Sequence, residues 1–476
     1  MPSLNTSPGL AVSSPRKPAG DLGRLRHSGP VRLEEVRAAV ERGRIDTVLL
    51  ALPDLQGRLK GKRYDARHFL DRVASTHADM CAYLLATDVG MQPVGGFALT
   101  SWEDGYADLK VVPDLSTLRP VPWMARTVLV LGDAFACDEQ PVEVAPRQIL
   151  RAQLERLRAV HGFQVQVGLE SEFVLYEGRP ATGSLAGHPL APVSSTNLDY
   201  ALDHPPALDR FLRRLQSALA GAGAPVEAVK TEASPGQIEI TFPYGPVLEA
   251  CDVHLLLKHA ARALAARAGM TATFMAAPHA GVASGLHLHL SLWRDGKPAL
   301  GTGDGRLSPT CDRAVAGLVE ALPELAPLYA PSTNSYRRYA PASFAPTSMA
   351  WGYDNRTCAV RVVGHDEGLH LEVRVPGADA NPYLATAAVV AAITYGLDRT
   401  PPLPPEQSGN AYQDRTAPPL AHTLEEALTW FSESTIAEAR LGREVVQHYT
   451  RLAQVDLDHQ RALVPDTERA RWLLHA

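Results

Sequence analysis

Apolar residues recur along this chain with two spacings, which predict helices and short strands in its first third. From Val31 to Arg42 the spacing is helical and the run stops at Gly43, a pattern typical of a helix that ends at a glycine. Strand-like runs follow at 46–52, 109–113 and 127–133. Together these elements predict a small α+β domain over residues 31–140.

Longer helices then alternate with strands in which polar residues recur at every second position. A helix is predicted from Pro146 to a terminator at Gly162. Further helices are predicted around 207–220, 252–268 and 379–397 and within 424–473, and strands at 168–176, 236–242, 286–293, 357–363 and 369–375. Residues 1–30 have the composition of a disordered tail, and 400–419 that of an exposed Pro-rich loop. We therefore expect a second, catalytic domain over 141–476.

Composition excludes several classes of protein. The 476 residues are 45% hydrophobic and 21% charged with a net charge of −6, which argues against a dedicated nucleic-acid binder. The most apolar helical stretch, 384–397, is too short to span a bilayer, and the N-terminus lacks the apolar core of a signal peptide. Five widely spaced cysteines without a CxxC motif predict free thiols. We expect a cytoplasmic protein with no nucleic-acid or membrane partner.

Paired carboxylates are the strongest chemical signal. Glu170 and Glu172 lie two apart in a predicted strand and therefore share a face. Two adjacent carboxylates repel each other unless a cation lies between them. A single Glu-x-Glu pair is more often a solvent-exposed face, but similar patterns return on other predicted strands.

These further strands suggest a metal and phosphate site. Glu232 and Glu239 flank a Pro-Gly turn, His287 and His289 share one strand face with Ser291, and Glu372 shares another with His370 and Arg374. Oxygen ligands with few imidazoles favour Mg²⁺ or Mn²⁺, and several nearby arginines suit a nucleoside triphosphate and a carboxylate substrate. Neither a P-loop nor a GxGxxG motif is present, so the common nucleotide-binding folds are not supported.

Seven segments in order resemble the glutamine synthetase family from about residue 45 to the C-terminus. They are GLESEF (168–173), TEASPGQIEI (231–240), SGLHLHLSL (284–292), NSYRRYAP (334–341), WGYDNRTCAVRV (351–362), LEVRVPGADANPYLA (371–385) and GNAYQDRTAPPLAHTL (409–424). The resemblance implies an α+β chain, with an N-terminal β-grasp domain followed by a large glutamine synthetase-type α/β catalytic domain of antiparallel strands flanked by helices. It also implies two stacked six-membered rings, a dodecamer whose active sites are shared by neighbouring subunits.

The resemblance implies a role for each candidate residue. One metal site would consist of Glu172, Glu232 and Glu239, and a second of Glu170, His287 and Glu372, holding two or more Mg²⁺ or Mn²⁺ ions. Arg356 and Arg361 would stabilise the phosphate transferred from ATP, Arg338, Arg374 and Gly285 would hold glutamate, and His289 and Ser291 would lie near ATP. In the implied reaction, the side-chain carboxylate of glutamate is phosphorylated and an amine then displaces phosphate.

The sequence departs from ammonium-using members of the family at one informative position. Phe344, in ASFAP (342–346), replaces the acidic residue that helps to bind and deprotonate ammonium. A neutral aromatic cannot accept that proton, so we expect an organic amine of the ethanolamine or polyamine type as acceptor. Residues 282–285 and His370 also differ from the family pattern, and Asp88 is the candidate small-domain acid that guides the amine.

Two alternatives remain open at this point. One is an ammonium-using glutamine synthetase with its proton acceptor elsewhere, and the other is a catalytically silent relative that serves as ring scaffold or regulator. Tyr412 lies near a position that is adenylylated in some bacterial relatives; we expect its side chain to be exposed but not modified.

Overall fold

Two β-sheets organise the chain, whose computed structural model describes residues 29–179 and 190–476. Residues 1–28 of the predicted tail lie outside the described residues. The first sheet has the strand order β2-β1-β5-β4-β3, in which β1 and β5 are parallel and the other pairs antiparallel. Its strands are β1 Thr47–Pro53, β2 Leu59–Asp65, β3 Ala78–Cys81, β4 Asp108–Pro120 and β5 Thr127–Phe135. Helix α1 (Leu33–Glu41) precedes this sheet, and the short α2 (Ala66–His68) follows β2.

The second sheet has ten strands and carries the predicted chemistry. Its main path is β13-β14-β15-β11-β6-β8-β7, while β9 and β10 pair with β6 and β12 pairs with β11. These strands are β6 Gln164–Glu177, β7 Ala228–Thr231, β8 Gln237–Thr241, β9 Gly245–Pro246, β10 Met270–Thr273, β11 Leu286–Arg294, β12 Lys297–Pro298, β13 Trp351–Tyr353, β14 Val360–Val363 and β15 His370–Val373. The pairs are antiparallel as predicted, except for the parallel pair β13 and β14.

Nine helices in the described part of the chain follow the first sheet. They are α3 Pro146–His161, α4 Pro206–Gly221, α5 Val247–Arg267, α6 Pro309–Ala321, α7 Pro382–Arg399, α8 Leu424–Glu433, α9 Thr435–Leu441, α10 Arg443–Ala462 and α11 Asp466–Trp472. Leu286, Leu288, Leu290 and Leu292 on β11 are at most 2% exposed and belong to the same hydrophobic core as α6 and α7. The helices therefore cover the apolar face of the sheet and leave its polar face for chemistry.

Several predicted boundaries were wrong for local reasons. The strand predicted at 357–363 begins only at Val360, because Thr357 turns back to hydrogen-bond the side chain of Asn355. The strand predicted at 109–113 continues to Pro120 through a bulge. The C-terminal helical region is four helices, since Ser434 caps α9 and Gly442 has a left-handed φ of 88°. The predicted helix end at Gly162 is confirmed, with φ 70°.

A buried ionic network joins the first sheet to helices α3 and α5. Arg147 on α3 is 2% exposed and donates to both carboxylate oxygens of Asp252 on α5, at 3.2 and 2.9 Å. The same guanidinium reaches Asp133 on β5 at 2.8 Å and Asp114 on β4 at 3.2 Å. Removing one partner of such a network leaves a buried charge unpaired and strongly destabilises the folded protein. The network therefore fixes the first sheet against α3 and α5.

All five cysteines are free thiols, as predicted. Among the described residues no helix has both the length and the hydropathy needed to cross a membrane.

Candidate active site

Strand register brings predicted metal ligands together in the middle of the second sheet. β6 pairs with β11 so that Glu170 lies opposite His287, and with β8 so that Glu172 lies opposite Glu239. On β6, the side chains next to Glu170 and Glu172 that point to the opposite face are apolar apart from Ser171, and Phe173 is fully buried. The prediction that Glu170 and Glu172 share a polar face is therefore confirmed.

Glu372 closes the other side of this polar face. β15 pairs with β14, which sets Glu372 opposite Arg361. Its carboxylate accepts a hydrogen bond from Arg361 Nη1 at 2.9 Å and another from Arg374 Nη1. Nδ1 of His287 lies 2.6 Å from Glu170 Oε1 and 3.6 Å from Glu372 Oε1. One imidazole thus lies between two carboxylates from different strands.

Two groups of these side chains have the spacing of metal ligands. Each group offers three ligand atoms within 4.8 Å of one another: Glu170 with His287 and Glu372, and Glu170 with Glu172 and Glu239. Carboxylate oxygens with a single imidazole fit Mg²⁺ or Mn²⁺ better than zinc. The first group coincides with one predicted site, whereas the second holds two of the three residues of the other and lacks Glu232.

The pKa values of these acids reflect their crowding. Burial and the carboxylates of Glu170 and Glu232 raise the pKa of Glu239 to about 10. Burial would also raise the pKa of Glu170, but His287 and His289 hold it well below its usual value. Crowded carboxylates with raised pKa values bind cations favourably, because a cation removes their mutual repulsion.

Lys230 lies beside Glu232 and was missed by the sequence analysis. It is opposite Glu239 in the pairing of β7 with β8. Its Nζ pairs with Glu232 and lies 3.8 Å from Glu239 Oε2 and 3.5 Å from Asp199 Oδ1. Partial burial lowers the pKa of Lys230, but its ion pairs outweigh this and raise it overall. The sequence contained a signal for this contact, because Lys230 and Glu232 are two positions apart, the same spacing as Glu170 and Glu172.

Gly285 allows two cationic or basic side chains to approach each other closely. A Cβ atom at this position would lie 2.6 Å from His287 Nε2 and 2.7 Å from Arg338 Nη2. Arg338 Nη2 donates to His287 Nε2 at 3.2 Å, so the proton of a neutral His287 is on Nδ1. The Gly285 amide donates to Glu172 Oε2 at 2.9 Å, which also accepts from Gln237 Nε2 at 2.8 Å. Glycine is therefore needed here for space.

A series of close polar contacts connects two histidines to Glu170. His370 Nδ1 lies 2.9 Å from the Gly368 carbonyl, which can only accept, so His370 donates there. Its Nε2 then accepts from His289 Nδ1 at 3.2 Å, and His289 Nε2 lies 3.4 Å from Glu170 Oε2. Burial lowers the pKa of His370, which agrees with a neutral ring.

Two hydrogen bonds to neighbouring carbonyls anchor the loop that contains Phe344. Arg374 Nη2 donates to the Phe344 carbonyl at 3.2 Å, and the Tyr412 hydroxyl donates to the Ala345 carbonyl at 3.1 Å. The Phe344 side chain itself is 60% exposed, and its φ of 57° is in the left-handed region. The prediction of an exposed Tyr412 was wrong: the side chain is half-buried because its hydroxyl holds this loop.

Three predicted residues have no contact with the carboxylate cluster. Asp88 uses its side chain to accept from the Gln92 amide at 2.7 Å, within its own loop. Arg356 is exposed and makes no hydrogen bond or ion pair with any described residue. Ser291 lies on the same strand as His287, and its hydroxyl oxygen accepts from Trp293 Nε1 at 2.8 Å.

Comparison with known proteins gives matches over most of the chain. A family model described as the glutamine synthetase catalytic domain matches residues 143–472. The γ-glutamylethanolamide synthetase of Streptomyces coelicolor is 46% identical over 444 residues, 93% of this chain and 96% of that protein. A glutamate–isopropylamine ligase of a Pseudomonas species is 34% identical over 92% of this chain and 97% of its own length. A solved structure of GmaS with ADP has a TM-score of 0.78 and 26% identity, covering 92% of this chain and 99% of that one.

Proposed function

Because the chain belongs to the glutamine synthetase family, we propose that it is an ATP-dependent ligase that joins glutamate to an organic amine. The observation that carries this proposal is the polar sheet face on which Glu170, Glu172, Glu239 and Glu372 converge beside buried arginines. The product would be a γ-glutamyl amide formed through a γ-glutamyl phosphate.

Six residues would hold the divalent ions. Glu172, Glu232 and Glu239 would form one site, and Glu170, His287 and Glu372 the other. Bound Mg²⁺ or Mn²⁺ would neutralise the ATP phosphates and the glutamate carboxylate. The hydrogen bonds from Gln237 and the Gly285 amide orient Glu172, so that this carboxylate is held before a ligand arrives.

The arginines would orient the two charged substrates. Arg338 and Arg374 are 3% exposed and would hold the carboxylates of glutamate, with Gly285 near its amino end. Arg361 is fixed by Glu372 and Asp354, whereas Arg356 keeps its guanidinium free for the transferred phosphate. His289 and Ser291, farther along β11, would lie near the nucleotide.

Phe344 would form one wall of the amine pocket. Its exposed ring offers apolar surface to the carbon atoms of an amine but no carboxylate to bind ammonium. The names of the two similar curated relatives, which describe ethanolamide and isopropylamine products or substrates, support a small organic amine of this kind. Asp88 would act only in a neighbouring subunit's site, since its contacts within its own chain are local.

An amine-panel assay tests the proposal. Phosphate release from ATP, with glutamate and Mg²⁺, is measured with ethanolamine, isopropylamine, a polyamine and ammonium, and Glu372→Gln serves as the inactive control. We expect faster turnover with at least one organic amine than with ammonium. Faster turnover with ammonium would instead support an ordinary glutamine synthetase, and no amine-dependent release with any acceptor would support a silent relative.

We also propose that the chain forms the oligomer implied by its family. A first sheet of the β-grasp type over residues 31–140 would complete the site of a neighbouring subunit, in a dodecamer of two stacked hexameric rings. The free cysteines support a cytoplasmic location. Native mass measurement should give about twelve times the 51.3 kDa of one chain.

A further inference from the structure

A cationic cavity lies between the first sheet and α5, apart from the carboxylate cluster. It encloses about 380 Å³ between the turn that joins β1 to β2 and the outer part of α5. Its polar lining consists of Arg58, Lys258, His259 and Arg262. Among the described residues that line it, no side chain is acidic. A cavity lined by basic groups without acids favours an anion.

Two of these cations have few acceptors within the protein: Lys258 is buried, and Arg262 lies at the exposed edge of the cavity. Lys258 is 4% exposed, and the only acceptor that the described residues give its ammonium group is the Ala380 carbonyl, at 3.1 Å. Arg262 has no hydrogen bond or ion pair with any described residue. Both groups lie 5.4 Å from the centroid of the Phe274 ring, and they are four residues apart on α5, so they share one face of the helix. Burial of the Lys258 charge without an ion-pair partner is unfavourable, and an anion held between Lys258 and Arg262 would relieve it.

The third donor is His259. Arg58 only lines the cavity, because its guanidinium already donates to other protein groups. Nδ1 of His259 accepts from Trp123 Nε1 at 3.0 Å, so the proton of the neutral ring is on Nε2 and free to be donated. Arg58 already pairs with Asp54 at 2.7 Å and donates to the Val89 carbonyl and the Gln56 side chain. The available donors therefore come from a single helix, at positions 258, 259 and 262.

We propose that this cavity is a binding site for a small dianion with a carbon body, held by Lys258, His259 and Arg262. Two positive charges match a phosphate monoester or a dicarboxylate. The cavity is larger than a bare oxyanion needs, and Leu59, Leu255 and Ala263 supply apolar lining for a carbon body. Burial and Arg262 lower the pKa of Lys258 to about 7, and a bound anion would favour its charged form.

Isothermal titration calorimetry on the full chain tests the site. The probes are β-glycerophosphate, a phosphate monoester, and succinate, a dicarboxylate; whichever binds identifies the anion class. The variant is Arg262→Gln, chosen because Arg262 makes no hydrogen bond or ion pair with the described residues and its loss should not impair folding. Arg267→Gln on the same helix is the matched control, because it removes the same charge from an exposed side chain outside the cavity.

We expect a probe to bind the wild type, Arg262→Gln to weaken that binding by about tenfold, and Arg267→Gln to change it by less than about twofold. Equal weakening in both variants would indicate general charge attraction and overturn the site. Binding that is unchanged in Arg262→Gln, or absent from the wild type, would overturn it as well. None of these results depends on whether the chain ligates amines.

Discussion

Replacing Phe344 by alanine should weaken the use of organic amines without affecting ATP. Phe344 is 60% exposed, and a phenylalanine side chain has roughly 200 Å² of surface, so roughly 120 Å² is available to a ligand. An alkylamine that covers half of this area would bury about 60 Å², which contributes about 1.5 kcal/mol at about 25 cal/mol per Å². This corresponds to roughly a tenfold loss of kcat/KM for the amine.

The assay is steady-state phosphate release at saturating glutamate and ATP, with the amine varied. Alanine keeps the backbone strain of the native residue, since both are non-glycine residues at a φ of 57°. Trp472→Ala is a suitable control, because Trp472 is a half-exposed aromatic in the C-terminal helix α11. An unchanged kcat/KM for every organic amine in Phe344→Ala, or an equal loss in Trp472→Ala, would refute the assignment of the pocket.

Three further predictions concern residues around the site and between the sheets. Arg147→Gln leaves buried aspartates without their cation and should lower the free energy of unfolding by about 3–5 kcal/mol, measured by urea denaturation; a loss below about 1 kcal/mol would show that the network is dispensable. Gly285→Ala should displace His287 or Arg338 and reduce kcat by about tenfold or more while circular dichroism stays native, since a shifted ligand impairs a metal site; wild-type turnover would contradict this. Burial lowers the pKa of His448 from 6.5 to about 4, so the folded state takes up this proton at lower pH than the unfolded chain. Stability present above pH 6.5 should therefore fall by about 3 kcal/mol as the pH drops to 4, and His448→Phe should remove that part of the slope; the same slope in both proteins would contradict it.

The polar face of the second sheet was predictable because strand alternation is local. The two-residue spacing of Glu170 and Glu172, and of His287 and His289, fixes which side chains share a face before any tertiary contact is known. The order of the strands is not local, so the sequence alone could not set Glu372 opposite Arg361. The resemblance to a family supplied that information instead.

The features that the sequence did not predict depend mostly on contacts between segments that are distant along the chain. Lys230 enters the cluster only because β7 pairs with β8, and Tyr412 is held by a loop that lies 67 positions earlier. The boundary at Val360 depends on two hydrogen bonds that Thr357 donates to the side chain of Asn355, which outweigh strand propensity over three residues. The role of Asp88 stays a prediction, because its contacts within one chain are local.

The transfer of oxygen from glutamate to phosphate tests the central claim most directly. Glutamate labelled with ¹⁸O in its side-chain carboxylate is incubated with ATP, Mg²⁺ and the best amine, and both products are analysed by mass spectrometry. If the carboxylate attacks the γ-phosphate and the amine then displaces phosphate, each phosphate carries one ¹⁸O and the amide retains the other. Unlabelled phosphate together with unmodified glutamate would contradict the account, because ATP would then be hydrolysed by water without a γ-glutamyl phosphate.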